Sequence, residues 1–258
     1  MNAASQPLLK TEDLGISFGG LRAVDKFEIE IHKGEIVGLI GPNGAGKTTC
    51  FNMITGVYKP TTGAISLDGA RIDGTPAYAI NRKGIARTFQ NIRLFKQLTV
   101  LDNVRAALHG EVDYGIVASV LRTRKFRLTE AALRAKAVAL LSVFSLEDRL
   151  FDEAGSLPYG EQRKLEIVRA LATNPKLLLL DEPAAGMNPQ ETATLMGLIH
   201  RLRAEFGVTI LLIEHDMSLV MKICERIYVL DYGRTIARGV PQEIQADKQV
   251  IKAYLGEA

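Results

Sequence analysis

Ile36-Val37-Gly38-Leu39-Ile40-Gly41-Pro42-Asn43-Gly44-Ala45-Gly46-Lys47-Thr48-Thr49 is the stretch on which the fold turns. Residues Gly41 to Thr48 satisfy the spacing G-x-x-x-x-G-K-[ST], in which glycines let the backbone wrap phosphates with its N–H groups pointing inward. The context is the required one. An apolar strand candidate, Ile36–Ile40, precedes the loop, and a helical segment, Thr49–Thr55, follows it. A helix start adds positive potential. Lys47 brings a mobile cation to the β- and γ-phosphates, and the Thr48 hydroxyl suits Mg²⁺.

Outward from the loop, the first third reads as β-rich, with strands expected at Leu8–Leu14, Lys26–Ile31, Glu35–Ile40 and Ala64–Asp68. Phe27-Glu28-Ile29-Glu30-Ile31 alternates as a half-buried strand should. Residues from Val100 to Thr173 turn helical, and Thr129 is a plausible cap for a long Ala- and Leu-rich helix ending near Phe144 to Leu146. The last third alternates: Leu177–Leu180, Pro189–Phe206, Thr209–Ile213, Met217–Cys224 and Arg226–Leu230. Such alternation predicts an α/β fold with a parallel sheet and crossover helices. No internal repeat, low-complexity stretch or linker divides the chain, so residues 1–258 read as one domain.

At 258 residues, 47% hydrophobic and 24% charged, the chain has ample apolar surface for a core. Thirty-two basic against 29 acidic residues leave a net charge of +3, which gives no sign of nucleic-acid binding. The cluster Arg122, Arg124, Lys125 and Arg127 reads as a solvated face. Cys50 and Cys224 sit in apolar segments without metal-ligand spacing, as core thiols in a reducing compartment would. Met1–Lys10 lacks the apolar centre of a signal peptide. No apolar run reaches membrane-spanning length, so any membrane role is expected through a partner.

A phosphate loop alone leaves GTPase, kinase, RecA-like motor and ABC ATPase open. Lys176-Leu177-Leu178-Leu179-Leu180-Asp181-Glu182 narrows the choice: a buried strand ends in two carboxylates, and in an open parallel sheet such ends face the ligand crevice. Asp181 suits the Mg²⁺ shell, and Glu182 suits a base that polarises the attacking water. Upstream, Leu157-Pro158-Tyr159-Gly160-Glu161-Gln162-Arg163-Lys164 leads into a helix expected to start near Tyr159 or Gly160 and to continue through Leu165–Thr173. This segment resembles the signature motif of ABC ATPases. The order of motifs resembles that family too: the loop, Gln90, the signature, Asp181-Glu182, and His215 after Thr209–Ile213.

The resemblance covers essentially the whole chain. Arg87–Phe95, Asp181–Pro189, Ile213–Met217, the insert Leu108–Arg127 and the ending Ala253–Ala258 look like the larger ATPase of branched-chain amino acid importers. It implies a P-loop NTPase core, an N-terminal antiparallel β layer and a helical subdomain at about residues 89–157. It also implies that Phe18 stacks on adenine, that Gly41 to Thr49 hold ATP and that Thr48, Gln90 and Asp181 hold Mg²⁺. Glu182, His215 and Gln90 would serve hydrolysis. Leu157, Pro158, Tyr159, Gly160, Glu161 and Gln162 would engage ATP held by a second ATPase subunit, in a homo- or heterodimer. Further partners would be membrane permease subunits, docked at Ile92–Leu98, and indirectly a solute-binding protein. The chain would then sit peripherally on the cytoplasmic face of the inner or plasma membrane. Two positions depart from the family pattern: Pro158 stands where Ser is usual, and Asn188 where Asp is usual. Urea or amide importers and lipopolysaccharide exporters are the competing transporters. A soluble ABC protein of DNA repair or translation would need a coiled-coil insert or a second cassette, and this chain has neither. A nucleotide-binding regulator without turnover would not need Glu182.

Overall fold

The computed structural model describes residues 6–112 and 114–255. Asp113, inside the predicted insert, and Gly256-Glu257-Ala258, which close the family-like ending, lie outside the described residues, as do Met1 to Ser5. Two compact units form: residues up to 90 together with those from 176, and residues 91–175.

The first unit opens with β1 (Leu9–Phe18), β2 (Leu21–Phe27), β3 (Glu30–Ile31), β4 (Ile36–Ile40), α1 (Lys47–Ile54), β5 (Thr62–Leu67), β6 (Ala70–Arg71), α2 (Ala77–Arg82) and β7 (Ile85–Arg87). The second unit contributes α3 (Val100–Leu108), α4 (Ile116–Val120), α5 (Arg124–Val143) and α6 (Tyr159–Ala172). The chain then returns through β8 (Leu177–Asp181), α7 (Pro189–Phe206), β9 (Thr209–Ile213), α8 (Met217–Ile223), β10 (Arg226–Asp231), β11 (Arg234–Gly239), α9 (Pro241–Ala246) and α10 (Lys248–Leu255).

Two sheets result. One is antiparallel, ordered β2-β1-β5-β6 with β3 beside β1; the other runs β11-β10-β4-β9-β8-β7. Every pair from β10 to β7 is parallel, and β11 alone is antiparallel. All residues of β4, β8 and β9 are buried, which is why these segments read as unbroken apolar runs and not as alternation. Leu39 pairs with Ile213, and Asp181 also pairs with Ile213. The strand ends that carry the phosphate loop, the two acids and His215 therefore leave the sheet at one edge. Phe27, Phe51, Ile29, Ile31 and Leu230 form the core beneath.

Two local expectations are corrected. Lys26–Ile31 is not one strand. Lys26 takes a positive φ of 51°, and the Thr11 hydroxyl donates to Phe27 O while accepting from Ile29 N, each at 3.0 Å. A side chain replaces two ladder bonds there, so burial still alternates from Phe27 to Ile31 without continuous pairing. Thr129 is not a cap either; it lies inside α5, which starts five residues earlier, with the Thr123 side chain accepting from Phe126 N.

In the second unit, buried Asn103 on α3 fastens the preceding loop. Its side chain accepts from Phe95 N and donates to Phe95 O and Thr99 O, each at 3.0 Å.

Candidate functional site

β4 ends on a turn that only glycine fits: a Cβ on Gly41 would lie 2.0 Å from Leu230 O. Gly46 precedes α1 in a left-handed conformation, φ 103°, a region that L side chains rarely occupy. No side chain caps α1 and no acid stands in its first turn, so its leading N–H groups remain available to an anion. Asn43, Gly44 and Thr48 are exposed, Pro42 and Thr49 half-buried, and Ala45 buried. Lys47 is only 7% exposed. Its Nζ folds back to donate to Gly41 O at 2.7 Å and Pro42 O at 2.9 Å. Burial lowers the ammonium's pKa, and the nearby charges of Glu182 and Asp181 partly offset this. The ammonium is thus held at the loop by carbonyl oxygens that a phosphate can replace.

At the end of β8 the two carboxylates have different surroundings. Asp181 is buried and ion-paired to Arg87 at 2.6 Å. The same guanidinium donates to Asn52 Oδ1 at 2.6 Å and packs against the Phe51 and Phe89 rings. Glu182 turns sharply out of the strand at φ 45°, while its N–H still pairs with Ile213 O at 2.9 Å. A non-glycine residue in this region marks a position over-determined by its surroundings. The turn brings Glu182 Oε2 to 2.8 Å from the Gln90 amide and 3.7 Å from His215 Nδ1. Glu214 is buried beside them, accepting from Ala184 N at 2.9 Å and His215 N at 3.2 Å. Burial pushes its carboxyl pKa up. Among the described residues no three His, Cys, Asp or Glu side chains come together in the manner of a metal site.

Lys47, Asp181, Glu182, Gln90 and His215 are therefore brought together within the first unit. Phe18 closes β1 at 46% exposure, edge-on to Tyr58 at 5.3 Å. Leu157 to Gln162 belong to the second unit. Pro158, in an extended conformation, precedes α6 without supplying a side-chain cap, and helix begins at Tyr159. The Gln162 side chain donates back to Leu157 O at 2.8 Å, and fully buried Arg163 pairs with Glu166 at 2.8 Å.

A family profile described as ABC transporter matches residues 24–185. The chain belongs to this ABC transporter family. An ABC ATPase binds ATP, and the uncapped α1, the glycine cradle and Lys47 fit a triphosphate. A second profile, described as branched-chain amino acid ATP-binding cassette transporter, matches the ABC chain's residues 234–258. The high-affinity branched-chain amino acid transport ATP-binding protein BraF of Pseudomonas aeruginosa is 48% identical over 254 residues, covering 98% of this chain and all of BraF. The lipopolysaccharide export system ATP-binding protein LptB of Escherichia coli is 38% identical over 250 residues, covering 96% and 97%. Among solved structures, the ADP conformation of MJ1267, an ATP-binding cassette of an ABC transporter, superposes with TM-score 0.84 at 31% identity, covering 98% of this chain and all of that one.

Sequence reasoning missed two residues of this ABC site, Arg87 and Glu214. Arg87 and Asp181 lie 94 residues apart, and no local spacing announces such a pair. Glu214 carried a signal, since a carboxylate directly after the apolar run Thr209–Ile213 has little room to reach water.

Proposed function

We propose that the chain is the ATP-hydrolysing subunit of a membrane importer for branched-chain amino acids. The observation that carries the hydrolytic reading is the Glu182 carboxylate, turned out of β8 and held by Gln90 beside His215. In this reading Phe18 stacks on adenine, and Gly41 to Thr49 hold the triphosphate. Lys47 exchanges its carbonyl partners for β- and γ-oxygens. Glu182 takes a proton from water as the water oxygen attacks the γ-phosphorus. The bond from phosphorus to the β–γ bridging oxygen breaks, and ADP and phosphate leave. His215 contacts the γ-phosphate. Thr48, Asp181 and Gln90 would hold Mg²⁺, which when bound neutralises charge across the β- and γ-oxygens. Arg87 orients the Asp181 carboxylate through their 2.6 Å ion pair.

The signature segment Leu157–Gln162 would reach ATP on a second such subunit, homologous or identical, with two nucleotides between the pair. Helix-rich residues at about 89–157 form a subdomain within a single cassette, and Ile92–Leu98 receive a permease that takes solute from a binding protein. No helix of the described residues is long and apolar enough to cross a membrane; the permease would hold the subunit at the cytoplasmic face. Two things support the cargo: the higher identity to BraF than to LptB, and the profile match over residues 234–258. Reconstitution with the cognate permease and binding protein in vesicles tests the whole reading. ATP-dependent uptake of leucine, isoleucine and valine is expected; uptake of urea alone, with leucine excluded, would move the chain to the amide importers.

A further inference from the structure

The insert after α3 has a fastened root and an unfastened tip. At the root, Glu130 on α5 accepts from Arg105 at 2.7 Å, from the Tyr114 hydroxyl, and pairs with His109 at 2.9 Å. The Tyr114 ring meets Phe126 edge-on at 5.1 Å. At the tip, α4 buries none of its side chains. Ile116, Val117, Val120 and the following Leu121 are 84%, 71%, 75% and 70% exposed. Leu128, on the first turns of α5, is also exposed. Aliphatic side chains gathered on one short helix and left in water mark an interaction surface.

Charge indicates what covers it. From Tyr114 to Leu128 the sequence has four basic residues and no acid. Arg122, Arg124 and Arg127 are exposed and follow the apolar helix directly. Arg122 makes the corner at φ 47°, and Arg127 Nε donates to its carbonyl at 3.1 Å, holding the basic turn against the apolar one. Five residues are too few for helix-in-groove recognition, which needs anchors over two turns or more. An apolar tip rimmed by guanidinium groups matches a layer of phosphates above hydrocarbon.

We propose that the α4–α5 corner rests on an anionic lipid bilayer. Ile116, Val117, Val120 and Leu121 enter the boundary between headgroups and acyl chains, while the arginines pair with lipid phosphates. This contact is independent of the cargo. Co-sedimentation of the full chain with phosphatidylcholine vesicles, with and without about 30 mol % phosphatidylglycerol, tests it. Binding is expected only to the anionic vesicles, weakened several-fold at about 0.5 M salt. A variant with Ile116, Val117, Val120 and Leu121 all changed to Ser should lose roughly ten-fold in partitioning, and so should Arg122→Gln/Arg124→Gln/Arg127→Gln. Both should keep wild-type circular dichroism and basal ATPase activity. Wild-type binding to neutral and anionic vesicles alike, no binding to either, or equal binding by wild type and the four-serine variant would each overturn the proposal. So would a four-serine variant that still binds vesicles yet no longer co-purifies with permease in detergent, which would make the tip a protein-docking surface.

Discussion

Glu182 leaves its strand in a conformation that L residues avoid, and the cost is met by Ile213 O on one side and the Gln90 amide on the other. Glu182→Gln keeps that shape and removes the proposed base. Turnover should fall by about 100-fold or more while ATP binding persists, so MgATP should convert the variant from monomer to dimer on size exclusion. Persistent turnover with monomer only would remove Glu182 from the role of base. Arg87 makes a different demand. Its pair with Asp181 is buried on both sides, so Arg87→Met should destabilise by about 3–5 kcal/mol because Asp181 is left charged and unpaired. Adding Asp181→Leu should restore most of the stability but no ATPase activity, and thermal melts with turnover assays of the two variants check both halves. The sequence located Glu182, which stands beside a strand end. It did not locate Arg87, whose partner is found only when β7 and β8 pair.

At the scale of the element, legibility followed burial. Pro189–Phe206 and Thr209–Ile213 are legible to the residue because one has Pro at its first turn and the other is wholly buried. β11 is not legible: its residues are half-exposed without alternation, so no period separates it from a loop. Asn188, which stands where the family usually has Asp, caps α7: its side chain accepts from Gln190 N and Glu191 N. α6 begins at Tyr159, beside Pro158, which has no N–H, so its first-turn N–H groups are the donors on offer. Pro158→Ser should leave ATPase activity of the assembled transporter within a few-fold, since one hydrogen bond is worth about 1 kcal/mol. Gly160→Asp should abolish it, through bulk and negative charge against phosphate. Equal loss in both would mean that the rigidity of proline is itself required. Acid sensitivity belongs to α5. Burial pushes the Glu130 carboxyl up, but Tyr114, Arg105 and His109 outweigh it and hold it at about 2. A depressed carboxylate contributes stability above its unfolded pKa, near 4.5, and loses it as pH falls toward 2. Glu130→Gln should therefore lower the melting temperature by several degrees at pH 7, with the gap to wild type closing as the buffer is acidified below 4.5.

For the whole molecule, the proposed importer role requires that nucleotide events reach a permease. Phe95 is 52% exposed, with Arg169 stacked 4.9 Å from its ring and its backbone fastened by Asn103. A fixed, exposed aromatic suits docking, so Phe95→Glu should uncouple transport while basal ATPase activity and circular dichroism stay unchanged; full transport in vesicles would exclude this surface. The two cysteines carry a further consequence. Cys50 and Cys224 are both buried and unpaired, and burial raises both thiols, Cys224 to about 12. Thiolate is the reactive form, so the folded chain is silent toward maleimides at neutral pH. A single cysteine placed on an exposed corner would carry a dye or spin label without removal of either native thiol. The natural pair would meanwhile serve as an internal clock, modified only when the P-loop sheet opens.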